Sequence, residues 1–229
     1  MGADTNDAPT TPTGRYDMKR RTLDLLFSIG GLGLTALLLI AGIVLTSNAN
    51  FANDYVRDQL GAQHISFKPA DKLTDEEKKV DCLVEYAGQK MTTGKQAECY
   101  ANEFIGLHLK SMAGGKTYAD LGEPQTELRA KVEQATKTND PALADLQKQL
   151  AEVSGQRDTV FKGETLRGLL LTSYGFSEFG RKAGQAALVT FVGAGLLLLL
   201  SIAGLVHAFR TPATEAFAAP ERAKDRATA

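Results

Sequence analysis

The sequence has no tryptophan, only two cysteines and only three histidines, and these scarcities narrow its possible functions. Aromatic residues make up 7% of the chain, which disfavours a carbohydrate-binding function, since such proteins bind sugars on aromatic side chains. Lysine and arginine (26) nearly balance aspartate and glutamate (27), so the basic excess typical of a nucleic-acid-binding protein is missing. We therefore expect no nucleic acid among the partners, and no residue pattern calls for a cofactor.

Charge is also missing from two long apolar runs, at residues 25–46 and 184–206. About 20 apolar residues in a helix are enough to cross the hydrocarbon core of a bilayer. The runs predict transmembrane helices at 23–46 and 183–209, with a domain at 47–182 between them. The lipid bilayer is thus the first expected partner.

The basic residues around the two runs predict which side of the membrane the domain occupies. Lys19, Arg20 and Arg21 directly precede the first run, and positive charge favours the cytoplasmic side. Arg181 and Lys182, before the second run, argue in the opposite direction. Because the first cluster flanks the first span, we expect both termini in the cytoplasm and the domain 47–182 outside the plasma membrane.

The two tails, 1–22 and 210–229, contain too few apolar residues to offset the entropy cost of ordering, so we expect them to be disordered. A cleaved signal peptide is the alternative interpretation of the first run. The run is long for a signal peptide, and no clean Ala-x-Ala site follows it, so an uncleaved anchor is favoured.

The domain between the runs shows helical periodicity, which makes the predicted fold class all-α. Thr74 and Glu77 form a capping-box pattern, from which a helix should run to about Lys90. A turn at 91–93 should lead into a second helix that ends at Gly114 and Gly115.

Cys82 and Cys99 lie on these two helices at similar distances from the turn between them. An extracytoplasmic location favours oxidation of paired cysteines. We therefore predict a disulfide that joins the two helices; two unrelated buried thiols are the alternative.

A third helix should follow the break at 122–124, and Asp140 with Pro141 should start the next one. The apolar residues of that helix repeat by three and four, as in a short coiled coil: Leu143, Leu146, Leu150 and Val153. Packing within the domain is the favoured use of this seam, and a partner helix is the alternative. Ser154 and Gly155 are expected to end or kink the helix. Residues 161–176 are expected to form an amphipathic helix that packs under the domain or lies at the outer membrane interface.

Small residues recur at four-residue spacing in the second run, which favours close packing of membrane helices. The predicted packing residues are Ala186, Thr190, Ala194, Gly204 and Ala208. The two spans are expected to pack on each other and on a partner, which would be a second copy or another membrane or envelope protein.

The stretch from Gly163 to Leu171, followed by Tyr174-Gly175-Phe176 and a Leu/Ala/Gly-rich span, resembles a group of two-pass membrane proteins of actinobacteria. The resemblance covers residues 160–207. It implies a location and an architecture but no activity, although some members carry an automatic label of aromatic ring-opening dioxygenase.

The sequence does not support that label. A ring-cleaving iron site needs two histidines and a carboxylate, and only His64 and His108 lie in the domain, since His207 is at the end of the second run. No catalytic or metal-ligating constellation is evident. We expect a non-enzymatic accessory, scaffold or interaction module of the cell envelope; the alternatives are an extracytoplasmic ligand sensor that signals through a partner and, less favoured, a membrane-bound enzyme.

Overall fold

Helices make up most of the described chain. The computed structural model describes residues 19–212, and within that range it has no β-strand and one isolated bridge between Ser66 and Lys90. The α-helices there are α1 (Arg20–Ala62), α2 (Asp81–Glu85), α3 (Gly94–Cys99), α4 (Gly106–Ala113), α5 (Gly122–Thr138) and α6 (Leu143–Arg210), with short 3-10 turns at Ala70–Lys72 and Glu77–Lys79 and a π-helical segment at Tyr100–Ile105. The prediction of a helical chain is confirmed.

The chain divides into two compact units. The insert unit is Val44–Ala186, and the terminal unit combines Met1–Ile43 with Ala187–Ala229. Most of the tails predicted at 1–22 and 210–229 lies outside the described residues. Of their described parts, residues 20–22 form the first turn of α1, and Arg210 ends α6.

Both α1 and α6 are long and apolar enough to cross a membrane. Only 11% of the most apolar stretch of each helix is buried, unlike a helix in the core of a soluble protein. Large apolar side chains such as Leu37, Ile43, Leu188 and Leu200 are more than half exposed. The prediction of two helices of membrane-spanning length is confirmed, while the side of the membrane on which the insert lies stays a prediction.

The core of the insert unit forms where short helices pack against the two long ones. Val56 and Leu60 of α1 and Leu170 of α6 are buried with residues from the segment between these helices. That segment contributes Phe67, Leu83, Met91, Ala97, Cys99, Ala101, Ile105 and Leu109. Burial of these side chains is the main source of stability, at about 25 cal/mol per Å² of apolar area.

The capping box at Thr74 is present, but the long helix predicted after it is wrong. The Glu77 amide donates to Thr74 Oγ1 (3.2 Å), and the Thr74 amide donates to Glu77 Oε2 (2.8 Å). Only a 3-10 turn and the five-residue α2 follow, because Val80 is extended. Residues 65–68 then bond to 88–91 through backbone groups, as in Met91 N–H to Ile65 O (2.9 Å), which requires non-helical backbone there.

The second predicted helix, by contrast, forms almost as expected. Thr93 and Gln96 make a full capping box at the start of α3. The chain stays helical through the π segment and α4, and it ends at Gly114, which adopts a left-handed conformation (φ 59°) that glycine accepts without strain. The π segment has no signal in the spacing of the apolar residues.

A helical hairpin follows. Asn139 ends α5 in a left-handed conformation, and the Asp140 carboxylate accepts from the Ala142 amide (2.8 Å) just before α6. The prediction of a helix end at Ser154 and Gly155 is wrong, since α6 continues through both as one helix of 68 residues, while a kink there stays a prediction. The stretch predicted as a separate amphipathic helix at 161–176 belongs to the same helix.

Cys82 and Cys99 lie at disulfide-bonding distance, with their Cα atoms 6.1 Å apart. Cys82 is on α2, and Cys99 is the last residue of α3. The pair links α2 to the helix that carries the π segment, and thereby closes a loop of the kind that lowers the entropy of the unfolded chain.

Glu77 is a charged group in the protein interior, since its side chain is only 2% exposed. Its Oε1 accepts from Lys68 Nζ at 2.8 Å. Burial raises the pKa of the Glu77 carboxyl, but the hydrogen bonds from Lys68 and Thr74 outweigh this effect, and the net pKa lies below its ordinary value.

We predict that Glu77→Gln lowers the free energy of unfolding by about 1–3 kcal/mol at neutral pH, because it removes a charge-assisted hydrogen bond. A carboxyl with a depressed pKa stabilises the fold above its unfolded-state pKa, and this stability is lost as pH falls through the folded-state pKa. The difference between wild type and variant should therefore shrink in acid. The free energy of unfolding of the detergent-solubilised chain, measured between pH 7 and pH 3, gives this difference.

The exposed neighbour Glu76 provides the control, Glu76→Gln. If the free energies of unfolding of wild type and Glu77→Gln changed in parallel with pH, the prediction would be contradicted.

Candidate functional site

The residues predicted to orient the chain lie at the start of α1. Arg20 and Arg21 are its first two residues, and the Lys19 carbonyl accepts from the amides of Thr22 (2.9 Å) and Leu23 (3.3 Å). Lys19 and Arg20 are exposed and Arg21 is half-buried. The positive cluster therefore lies directly before the apolar run, where the orientation rule applies.

Small side chains lie between α1 and α6 in the terminal unit. Of the predicted packing residues, Ala194 and Ala208 are fully buried, and a Cβ added to Gly204 would overlap Ser28 Oγ. Thr190 is half-buried and Ala186, in the insert unit, is exposed, whereas the next residue, Ala187, is buried.

A seven-residue spacing of small residues was missed in the sequence. It runs through Ser28, Thr35 and Gly42 on α1 and through Ala187, Ala194, Ser201 and Ala208 on α6, all of them buried. A heptad repeat indicates left-handed helix pairing, and small residues let the two backbones approach closely. Counting small residues at i+7 instead of i+4 finds this row of small residues.

The same unit contains the only described buried polar side-chain atom without a hydrogen bond, Asp24 Oδ2. His207 Nε2 lies 3.8 Å from it. The two residues come from opposite ends of the chain and meet at one end of this row of small residues.

A pocket of about 410 Å³ opens on the surface of the insert unit, and we call it the cationic pocket. Three segments build it: α1, the start of α3 with the two residues before it, and α6. Each segment contributes one cation, which are Arg57, Lys95 and Arg181 in that order. The remaining lining residues are Asn53, Asp54, Val56, Thr92, Thr93, Gly94, Ser177 and Glu178.

Carboxylates hold the three cations in their protonated forms. Hydrogen bonds to Asp58, Glu98 and Glu178 raise the pKa of Arg57, Lys95 and Arg181, respectively. Arg181 Nη2 lies 2.6 Å from Glu178 Oε2, and this contact lowers the pKa of the Glu178 carboxyl. The side chains of the three cations remain 52–58% exposed, so their charges face the pocket mouth and solvent.

An apolar groove of about 440 Å³ lies elsewhere in the insert unit, between α1 and the 166–176 part of α6. Its apolar lining residues include Tyr55, Leu60, Leu169, Leu170 and Phe176. Its volume falls in the range of small-molecule sites. At its rim, Phe51, Tyr55 and Phe176 form an aromatic cluster with ring centroids 5.6–6.3 Å apart.

The hairpin of α5 with residues 143–160 of α6 forms what we call the helical arm. Gln125 of α5 is buried and donates to Ser154 Oγ (2.9 Å), while Arg157 donates to Gln125 Oε1 (2.6 Å). The Arg157 guanidinium also lies 4.1 Å from the centre of the Tyr118 ring. These contacts fix the base of the arm.

Apolar residues of the predicted seam lie along the arm but are incompletely covered. Leu143, Leu146, Leu150 and Val153 are all half-buried. On α5, Gln125 and Ala135 are the buried residues. The seam thus packs within the domain, as favoured from the sequence, but two helices leave part of its surface open.

The two histidines of the insert unit have structural surroundings. His108 Nδ1 lies 2.7 Å from the Phe104 carbonyl oxygen, and its ring packs on the Phe104 ring at 4.5 Å. His64 is exposed, in a left-handed turn (φ 53°) after α1. Among residues 19–212, no three His, Cys, Asp or Glu side chains are grouped so that they could hold a metal ion.

No protein-family model matches the sequence, and no curated protein and no solved structure matches the chain. The resemblance of residues 160–207 to two-pass actinobacterial membrane proteins therefore stays a prediction. The function has to be argued from the geometry of the chain itself.

Gly180 allows the closest approach of α6 to α1 in the insert unit. A Cβ at this position would lie 2.7 Å from Ala52 Cβ and 3.3 Å from the Ala49 carbonyl oxygen, and neither atom can rotate away. Gly175, on the same helix, has no such neighbour within 4 Å.

We predict opposite effects for Gly180→Ala and Gly175→Ala on thermal unfolding of the detergent-solubilised chain. Gly180→Ala should destabilise it by about 1–3 kcal/mol through overpacking. Gly175→Ala should stabilise it by about 0.5–1 kcal/mol, because alanine favours the helix. Equal shifts for the two variants would show that α1 and α6 do not meet at Gly180.

Proposed function

We propose that this chain is a membrane-anchored interaction module of the cell envelope without catalytic activity. Two transmembrane helices hold it in the plasma membrane with both termini in the cytoplasm. Its helical insert lies outside the membrane, clasped by Cys82–Cys99, and presents the helical arm to a partner.

The observation that carries this proposal is the incompletely buried seam of the arm. A hairpin of two helices covers each apolar side chain from one direction only, whereas a third or fourth helix completes a bundle. Leu146 and Leu150 lie half-buried on α6 in the middle of this seam. The partner is therefore a helix, and the proposal names a second copy of the chain as the first candidate, because two identical hairpins make a self-complementary four-helix bundle.

The extracytoplasmic location is supported by the cysteines and by the basic cluster before α1. Disulfides persist in oxidising compartments, and Cys82 and Cys99 are at bonding distance. Lys19, Arg20 and Arg21 favour a cytoplasmic N-terminus. The two arguments are independent and agree.

Labelling of the two cysteines in intact cells tests the location and the disulfide together. We expect a membrane-impermeant maleimide to label Cys82 and Cys99 only after reduction. Labelling without reduction would contradict the disulfide. Labelling that requires permeabilised cells would place the insert in the cytoplasm, and the Cys82→Ser/Cys99→Ser variant controls for non-specific reaction.

Photo-crosslinking from the seam tests the interaction itself. A photoreactive phenylalanine analogue at Leu150 should give an adduct in cells, because the arm leaves this position half-buried. Lys148 lies two positions away on the exposed face of the same helix, and the same probe there should give none. An adduct of twice the chain mass identifies a second copy, and any other adduct mass identifies another protein. The absence of an adduct from Leu150, with the chain present in the membrane, would overturn the proposal.

A further inference from the structure

The cationic pocket brings together three positive charges whose ion pairs each lie within one helix, and Lys95 also donates to the Tyr174 hydroxyl on α6 (3.2 Å). Arg57 pairs with Asp54 (2.8 Å) and Asp58 (3.0 Å), all on α1. Lys95 pairs with Glu98 (3.0 Å) on α3. Arg181 and its partner Glu178 (2.6 Å) are likewise on one helix, α6.

None of these ion pairs therefore ties one segment of the pocket to another. Exposed pairs three or four residues apart on a helix contribute little stability. The lining itself carries the carboxylates Asp54 and Glu178, which leaves it with an excess of one positive charge, while Asp58 and Glu98 outside the lining reduce the net charge around Arg57 and Lys95. The pocket therefore suits a singly charged anion rather than a highly charged one.

The position of the pocket along α1 and α6 places it next to the predicted membrane surface. Arg181 lies about 3 Å along α6 from residue 183, where the second predicted span begins, and Arg57 about 16 Å along α1 from Thr46, where the first one ends. The headgroup layer extends about 5–8 Å beyond the hydrocarbon core on each side. The mouth of the pocket therefore opens from the headgroup layer outward.

Exposed aromatic side chains mark the same level. Phe51 is 61% exposed and Phe179 is 74% exposed. The contact of Gly180 with Ala49 and Ala52 sets these two phenylalanines at matching heights on α1 and α6. Large exposed apolar side chains mark membrane or protein contacts, so their exposure supports the placement independently of the cations.

From this juxtaposition we propose that the cationic pocket binds the phosphate group of an anionic phospholipid in the adjacent leaflet. Arg57 and Arg181 supply planar guanidinium donors that match phosphate geometry, and Lys95 supplies a point charge. Thr92, Thr93, Ser177 and Asn53 line the same cavity with further polar groups. Asp54 and Glu178 orient the two guanidinium groups.

Such a site also accounts for the positive charge that opposes the predicted orientation. Arg181 lies on the insert side of the second span, where the orientation rule disfavours basic residues. A lipid ligand gives this residue a role that the rule does not consider. The inference rests on the membrane location in the proposed function but not on which side the insert occupies.

Native mass spectrometry of the full chain in mild detergent, titrated with phosphatidylglycerol or phosphatidylcholine, tests the site. The pocket variant combines Arg57→Gln, Lys95→Gln and Arg181→Gln. The control variant combines Lys110→Gln, Lys131→Gln and Lys148→Gln, which are exposed and change the net charge equally. Wild type and control should bind phosphatidylglycerol at least tenfold more tightly than phosphatidylcholine, and the pocket variant should lose this preference.

Retention of the preference by the pocket variant, or its equal loss in the control, would overturn the proposal. Thermal shift with inorganic phosphate separates the two sources of the anion: stabilisation by free phosphate without tighter binding of phosphatidylglycerol than of phosphatidylcholine would reject the lipid. Arg57→Gln alone, at an exposed position whose ion pairs lie within α1, covers a failure of the triple variant to fold, and it should weaken phosphatidylglycerol binding without changing the melting temperature in neutral detergent. Membrane fractionation of the wild-type chain separates a failed location from a failed pocket.

Discussion

Close contact between α1 and α6 at small side chains sets the position of most features of the insert unit. Where Gly180 meets Ala49 and Ala52, the two backbones come nearer than any larger side chain would allow. The register fixed at this point continues along both helices, and it brings Val56 and Leu60 into the same core as Leu170. The cationic pocket and the apolar groove both line this helix pair, so their shapes follow from the same contact.

The core of the insert contains no tryptophan, and smaller aromatic rings pack against one another there. Phe67 packs against Tyr86 and Tyr100 with centroids 5.5 and 5.3 Å apart, and Tyr100 packs on Phe104 at 4.5 Å. Burial raises the pKa of the Tyr100 hydroxyl, which keeps it neutral. Aromatic pairs of this kind contribute about 0.5–1.5 kcal/mol beyond their area, and here they surround the π segment that follows Cys99.

The sequence predicted what local rules determine. The capping box at Thr74 and the helix stop at Gly114 depend on residues within one turn, and both are present. The helix expected to run to Lys90 failed because long-range pairing of 65–68 with 88–91 overrides local helix preference. The helix end expected at Ser154 and Gly155 failed for a similar reason, since contacts of Gln125 with Ser154 and Arg157 pack α6 against α5 on both sides of the glycine.

The candidate sites were harder to predict than the helices. Arg57, Lys95 and Arg181 are far apart in the sequence, and each follows or precedes a carboxylate in a pattern typical of any exposed helix. Only the folded chain shows that they share a cavity. Among the small residues of α6 that pack on α1, the sequence predicted Ala186, whereas the structure buries its neighbour Ala187. Over a short stretch of helix, a four-residue spacing and a seven-residue spacing are difficult to tell apart.

The π segment Tyr100–Ile105 accommodates an extra residue between Cys99 and α4. Its i→i+5 bond from the Gly106 amide to the Ala101 carbonyl accommodates one more residue than an α-helical turn. Arg167, held by Glu164, donates to the same carbonyl (3.0 Å) and secures the wider turn against α6. Homologous chains that lack a single residue in this segment would therefore form a regular α-helix here and keep the same face of α4 toward the core, because the wider turn absorbs the extra residue. An insertion or deletion in the regular helix beyond it would instead rotate the following residues by about 100°, since an α-helix has 3.6 residues per turn.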